Sequence, residues 1–270
     1  MWRTPVIQPQ PHSPPGNSSR IGLIVPSSNI TMETELPELF RRQTAATGHR
    51  YTFHSARAGL KNVTPEELAA MVSKAADCAV AVSDAAVEVI AYACLVAVMA
   101  QGPGAHAESE SVIAEAARSN GHPAAVASSA GALVRTLTGL GARRVVMVTP
   151  YMPELTRMVC DYIEGAGIAV HDVIGLEVAD NLEVGRLDPE QLPGIARRLD
   201  REGVDAVVLS ACVQMPSLVS VQPVEDELGL PVITAATATA YEILKALGHG
   251  PAIEGAGRLL AGALVPDLSR

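Results

Sequence analysis

The chain has 270 residues, 48% hydrophobic and 18% charged, a balance that suits a folded globular protein with room for two ordinary lobes and excludes a disordered one. A formal net charge of -9 offers no basic field to nucleic acid or to an anionic membrane, and an aromatic content of 3% supplies no stacking platform for bases. No apolar run is long enough for a membrane span.

Residues Met1 to Ser19 carry prolines at 5, 9, 11, 14 and 15 and no repeating apolar pattern. They read as a disordered tail rather than a signal peptide, which needs an apolar centre. From Arg20 strand and helix patterns alternate. The predicted strands are Ile21 to Val25, Tyr51 to Ser55, Val87 to Tyr92, Ala124 to Ala127, Val145 to Val148, Ile168 to Val173, Ala206 to Leu209 and Val232 to Ile233. Between them lie predicted helices over about 30–44, 65–84, 106–119, 129–139, 153–165, 189–201, 218–228 and 235–247. This alternation predicts an α/β fold with parallel sheets and crossover helices.

The two halves repeat. Arg20-Ile-Gly-Leu-Ile-Val-Pro26 lies over Arg144-Val-Val-Met-Val-Thr-Pro150, and at the same offset Thr64-Pro-Glu-Glu-Leu68 lies over Asp188-Pro-Glu-Gln-Leu192, each a helix start with a cap and a proline at the first position. The chain thus reads as two pseudo-symmetric lobes, each a four-stranded parallel sheet flanked by helices, with an active site in the cleft between them. The expected division is a tail over 1–19, lobe 1 over 20–128 plus 235–270, and lobe 2 over 129–234.

The cysteines, at 78, 94, 160 and 212, have no Cys-x-x-Cys spacing and no accompanying His pattern, so no metal site is expected. They read as free thiols of a reducing cytoplasm. Cys78 and Cys160 fall inside predicted helices and read as small packing residues. Cys94 and Cys212 each follow a short apolar strand, in Ala91-Tyr-Ala-Cys94 and Ser210-Ala-Cys212, at the sheet edge where α/β proteins bind ligands. Two facing thiols allow one to add or abstract while the other delivers a proton from the opposite side. The bland alternative is that these two also only pack.

Four strand-end segments should meet there: Pro26-Ser-Ser-Asn29, Ala93-Cys94-Leu-Val, Thr149-Pro-Tyr151 and Ala211-Cys212-Val-Gln. None contains Lys or Arg, so carboxylates would be held by neutral donors and helix amino ends. Asn181, in the loop after the sixth strand, reads as part of a lid. Gly102-x-Gly104 lacks the third glycine of a dinucleotide fingerprint. His54 and His171 read as structural, His106 as first-turn surface, and Glu33, Glu35, Asp161 and Glu164 as solvated helix-face residues.

The segments Gly22-Leu-Ile-Val-Pro-Ser-Ser-Asn29-x-Thr-Met-Glu-Thr-Glu35, Ala91-Tyr-Ala-Cys94, Thr149-Pro-Tyr151, Asp180-Asn181 and Ser210-Ala-Cys212-Val-Gln-Met-Pro-Ser217 resemble those of the maleate cis-trans isomerases of the aspartate/glutamate racemase superfamily, over about 20–263. Ile30 stands where that family more often has Thr. The resemblance implies conversion of maleate to fumarate, a step of nicotinate breakdown, without any cofactor. It implies that Cys94 is the nucleophile, that Cys212 is the acid, and that Asn29, Tyr151 and Asn181 hold the carboxylates. To these we add the backbone N–H groups of Leu95, Val96, Val213 and Gln214 as donors to the addition intermediate. The expected partner is a small dicarboxylate, and the expected assembly a homo-oligomer, dimer or tetramer. Competing readings are a hydantoin-type racemase, whose neutral substrate needs no anionic partner, and a non-catalytic two-lobed binding protein. An arylmalonate decarboxylase normally has Gly at the first thiol position, so Cys94 speaks against it.

Overall fold

The computed structural model describes residues 16–264 and contains two four-stranded sheets, all of whose paired strands run parallel. The first sheet has the order β2-β1-β3-β4, from β1 (Ser18–Pro26), β2 (Arg50–Ala58), β3 (Val89–Tyr92) and β4 (Ala125–Ser128). The second has the equivalent order β6-β5-β7-β8, from β5 (Arg144–Thr149), β6 (Ala169–Gly175), β7 (Ala206–Ser210) and β8 (Val232–Thr234). Composition explains the placement. Val-Ile-Ala-Tyr in β3 and Ala-Val-Val-Leu-Ser in β7 are buried throughout and sit inside their sheets, whereas the edge strand β2, Arg-Tyr-Thr-Phe-His-Ser-Ala-Arg-Ala, alternates with solvent.

Helices α1 (Met32–Thr47), α2 (Pro65–Ser73), α3 (Ala75–Ser83), α4 (Leu95–Met99) and α5 (Ala105–Ser119) belong to the first half. Then come α6 (Ser129–Gly139), α7 (Pro153–Gly165), α8 (Asn181–Val184), α9 (Leu192–Ala196), α10 (Leu218–Leu228) and α11 (Ala235–Ala246). The two starts predicted from Thr64-Pro and Asp188-Pro are capped as expected: Thr64 accepts the Glu67 N–H and Asp188 the Glu190 N–H. The helix expected over 65–84 is broken at Lys74, whose N–H bonds to Met71 and Val72, so that α2 packs on α4 and α3 packs on α5 and β2. The helix expected over 189–201 shrinks to a 3-10 turn, Pro189–Gln191, and the five residues of α9, where Pro193 has no N–H to give. Short helices α4 and α8 were not foreseen.

Residues 1–15 of the expected tail lie outside the described residues, and its last two, Ser18 and Ser19, are already strand, paired with Arg50 and Tyr51. Helix α6 packs on α11, β4, α4 and α5, and α11 in turn on α1, β3 and β4. The stretch after α11 ties both halves together: Gln43 of α1 bonds to Gly250 and Ala252, and the buried Glu225 of α10 takes the N–H of Arg258 at 2.6 Å and of Val232 at 2.9 Å. Among the described residues no helix is long and apolar enough to cross a membrane.

Candidate active site

The strand ends create the site by the same device in both halves. The last ladder bond beside β3 runs from Ala93 N–H to the Ile24 carbonyl at 2.8 Å, and its counterpart beside β7 runs from Ala211 N–H to the Val148 carbonyl at 3.0 Å. The next residue in each chain is the cysteine. Released from the ladder, Cys94 takes φ -140°, ψ 87° at the N-cap position of α4 without making a side-chain cap bond, and Cys212 begins a tight loop leading to α10. Both are closed off from solvent, at 1% and 3% exposure.

The two sulfurs differ in their donors. Burial pushes the Cys94 thiol up to about 12; the Ala97 N–H opposes this, and the neighbouring Cys212 adds to it. Burial also raises Cys212, but three donors work against it: the Tyr151 hydroxyl, then the N–H groups of Gln214, at 3.2 Å, and Met215. Tyr151 is held well above its ordinary range, first by burial and then by Cys212 and Cys94. Two thiols and one phenol therefore lie buried near one another where the two halves meet.

Two amides lie beside them, buried. Asn29 donates from Nδ2 to the Val213 carbonyl at 3.0 Å, while its Oδ1 accepts the N–H groups of Thr31 and Met32, starting α1. Asn181 was expected in a loop. It is instead the first residue of α8, buried, with Nδ2 donating to Ser28 Oγ at 2.7 Å; Asp180 caps that helix by accepting the Glu183 N–H. A single antiparallel bridge, Asn62 to Asp180, crosses from one half to the other beside it. A groove of about 320 Å³ lined by Asn62, Thr64, Met152 and Val178 leads down to Tyr151.

The sequence reading brought together Cys94, Cys212, Asn29, Tyr151 and Asn181, and the structure gathers them in one place. Of the four backbone groups expected to serve the addition intermediate, Gln214 N–H points at the Cys212 sulfur at 3.2 Å, and the Val213 carbonyl accepts from Asn29. Leu95 and Val96 keep the open first-turn donors of α4. Glu35, expected in solvent, is buried: its Oε1 accepts Ser217 N–H at 2.6 Å and Leu218 N–H at 2.7 Å, capping α10 from the other half, and desolvation raises its carboxyl. His106 is half-buried, its Nδ1 2.6 Å from the Tyr162 hydroxyl. No cation lies within the four segments, but Arg57 of β2 donates to the carbonyls of Ser27 and Asn29 and pairs with Glu33, supporting the first segment from behind. Among the described residues no group of three His, Cys, Asp or Glu is placed to hold a metal ion.

Two like four-stranded parallel sheets, each ending in a buried thiol where the halves meet, define an α/β protein built from two pseudo-equivalent lobes. The family described as arylmalonate decarboxylase matches residues 21–260. A maleate isomerase of Geobacillus stearothermophilus is 52% identical over 90% of this chain and 97% of its own. The maleate isomerase Iso of Pseudomonas putida S16 superimposes with a TM-score of 0.90 at 48% identity, covering 91% of this chain and 99% of that one. The Nocardia farcinica maleate cis-trans isomerase, in a cysteine-to-serine variant with a covalently bound succinylcysteine intermediate, superimposes at 0.87 with 51% identity, covering 90% and 98%. The chain belongs to the maleate isomerase family.

Proposed function

We propose that this protein converts maleate to fumarate, with Cys94 adding to one alkene carbon and Cys212 protonating the other. The observation that carries the assignment is a difference in geometry between the sulfurs: the Gln214 N–H stands 3.2 Å from the Cys212 sulfur, whereas Cys94 at the head of α4 makes no side-chain cap bond. A thiolate is the better nucleophile the less it is stabilised, whereas an acid is the stronger the better its conjugate base is held. The donor waiting at Cys212 favours the state in which it has given its proton away.

The cycle starts from Cys94 thiolate, its proton released to solvent as the site fills, and Cys212 thiol. The Cys94 sulfur forms a bond to one alkene carbon, the π pair moves to the neighbouring carbon, and that carbon takes the Cys212 proton. The product is a succinyl group on Cys94 and a thiolate on Cys212, with charge conserved. The former double bond is now single and turns. Cys212 then recovers the proton, the double bond reforms in the trans geometry, and the Cys94 thiolate leaves. In this reading Asn29 and Asn181 hold the carboxylates with the remaining N–H capacity of their side chains, Tyr151 beside them gives its single O–H to Cys212, and the first-turn N–H groups of Leu95 and Val96 face the charge that develops beside Cys94. Neutral donors suit the task because the carboxylate that swings must be released and caught again, which a bidentate guanidinium clamp resists. The succinylcysteine in the Nocardia farcinica relative supports the covalent step, since one cysteine there keeps the adduct when another is replaced. The resemblance extends the proposal to a cytoplasmic place in nicotinate breakdown and to a homo-oligomer.

The test is direct. Purified protein is mixed with maleate under reducing conditions, with no metal or nucleotide added, and fumarate is followed by NMR. Conversion is expected, and its absence removes the proposal.

A further inference from the structure

Both thiols are shut away at 1% and 3% exposure, so a diacid reaches them only when part of the enclosure moves. One side chain joins the segment after β1, the start of α8 and the loop after β7. Gln214, itself 1% exposed, donates from Nε2 to the carbonyls of Ser28 at 2.9 Å and Asn181 at 2.8 Å, while its Oε1 accepts the Ile30 N–H at 2.9 Å. Its carbonyl accepts from Thr31 Oγ1 at 2.6 Å, and its own N–H points at Cys212 Sγ at 3.2 Å. The partners come from the segment after β1 and from the start of α8. Only an uncharged amide supplies two donors and an acceptor at one point; a carboxylate would face two carbonyls and a hydrocarbon would orphan all three groups.

A second, independent feature marks the same amide. Gly185 ends α8 with φ -68° and ψ -11°, a conformation any residue adopts, so the backbone does not call for glycine. Space does: a Cβ at 185 would lie 2.8 Å from Gln214 Nε2 and 2.7 Å from Ile30 Cγ1.

We propose that the Gln214 side chain is a positioning residue that latches α8 over the cleft and, in doing so, sets its own backbone N–H against the Cys212 thiol. The latch deepens the reading of the two thiols given above and rests on it for their task. When α8 swings out, Gln214 loses the Asn181 carbonyl and Asn181 loses Ser28 Oγ, and the donor at Cys212 loosens with them. On closure the same bonds bring the donor back, so the acid is complete only when the site is dry.

The experiment needs no turnover. The parent, Gln214→Leu and Gly185→Ala proteins are treated with iodoacetamide without substrate, and alkylation of each cysteine is timed by mass spectrometry. Losing the amide's bonds should raise the rates at Cys94 and Cys212 about tenfold. Buried Cys78 should keep its parent rate and so report that the fold has not loosened as a whole. Gly185→Ala, which favours helix, should act like Gln214→Leu by displacing the amide, and it decides the matter should the leucine variant fail to fold. Both variants should lower kcat more than they change KM. Rates at Cys94 and Cys212 within about twofold of the parent, or a parallel rise at Cys78, would overturn the latch. A protein that alkylates as expected but does not isomerise maleate would overturn the reaction and leave the latch standing.

Discussion

Tyr151→Phe isolates one of the three donors at Cys212 without disturbing the backbone that supplies the other two. The ring is buried and unchanged in shape, and the backbone carbonyl of residue 151 still accepts from Thr156 Oγ1 at 3.1 Å. In the resting thiol state the lost bond is one between neutral groups, about 0.5–1.5 kcal/mol; in the intermediate, with charge on Cys212, it is about 1.5–3 kcal/mol. The difference, about 1–2 kcal/mol, falls on the barrier and predicts a kcat lower by about five- to thirtyfold. The same loss pushes the Cys212 thiol further up. Because Cys212 must start protonated, the alkaline limb of the kcat profile should move upward while the plateau falls. Initial rates of fumarate formation across pH test both effects, and a thermal melt confirms that the fold survives. A kcat within about twofold of the parent with an unmoved alkaline limb would refute the role of the Tyr151 hydroxyl as a donor to this thiol. A change in KM alone would reduce Tyr151 to a carboxylate holder.

Cys212→Ser, whose hydroxyl is a far weaker acid and, once the adduct has formed, a poor proton acceptor, should lose at least about a hundredfold in turnover and accumulate a maleate adduct on Cys94 in intact mass spectra. Cys94→Ser should show neither turnover nor adduct, and an adduct on Cys212 in that variant would reverse the two roles. Glu35→Ala leaves the Ser217 and Leu218 N–H groups without their acceptor and should cost about 1–3 kcal/mol of stability. Glu35→Gln probes the sign of its titration. Burial raises the folded carboxyl above 4.5, so its contribution to stability is full below that pH and is lost as pH rises through the raised value. The melting temperature of Glu35→Gln relative to the parent should therefore climb with pH above 4.5 and then level; a difference that stays flat or falls would contradict it. Gly257→Ala forces a side chain into φ +84° and to 3.0 Å from Val221, and should destabilise by about 1–3 kcal/mol in denaturant titrations, with activity per folded molecule retained; an unchanged midpoint would refute the strain.

The sequence by itself determined the strands and their burial, the duplication, and the two thiols at strand ends. Those features are written locally: β-branched runs that suit a two-faced sheet interior, capped helix starts repeated at one offset, and a cysteine one residue past each run. It also marked Asn29, Tyr151 and Asn181 as candidates, because they occur in short distinctive motifs. What it missed depends on contacts between residues far apart in the chain. Glu35 looks like any helix-face acid until α10 is brought against it, and the donors at Cys212 depend on how a loop turns after leaving the sheet. Helix α4 is five apolar residues, too short for a periodic pattern to distinguish from strand. Gln214 and Gly185 carry no signal alone, because an amide bonded to both the segment after β1 and the start of α8, and the space kept clear for it, exist only after the lobes have closed. The inequality of the two sulfurs has the same origin: the chain supplies two like thiols, and packing alone gives one of them three donors and the other one.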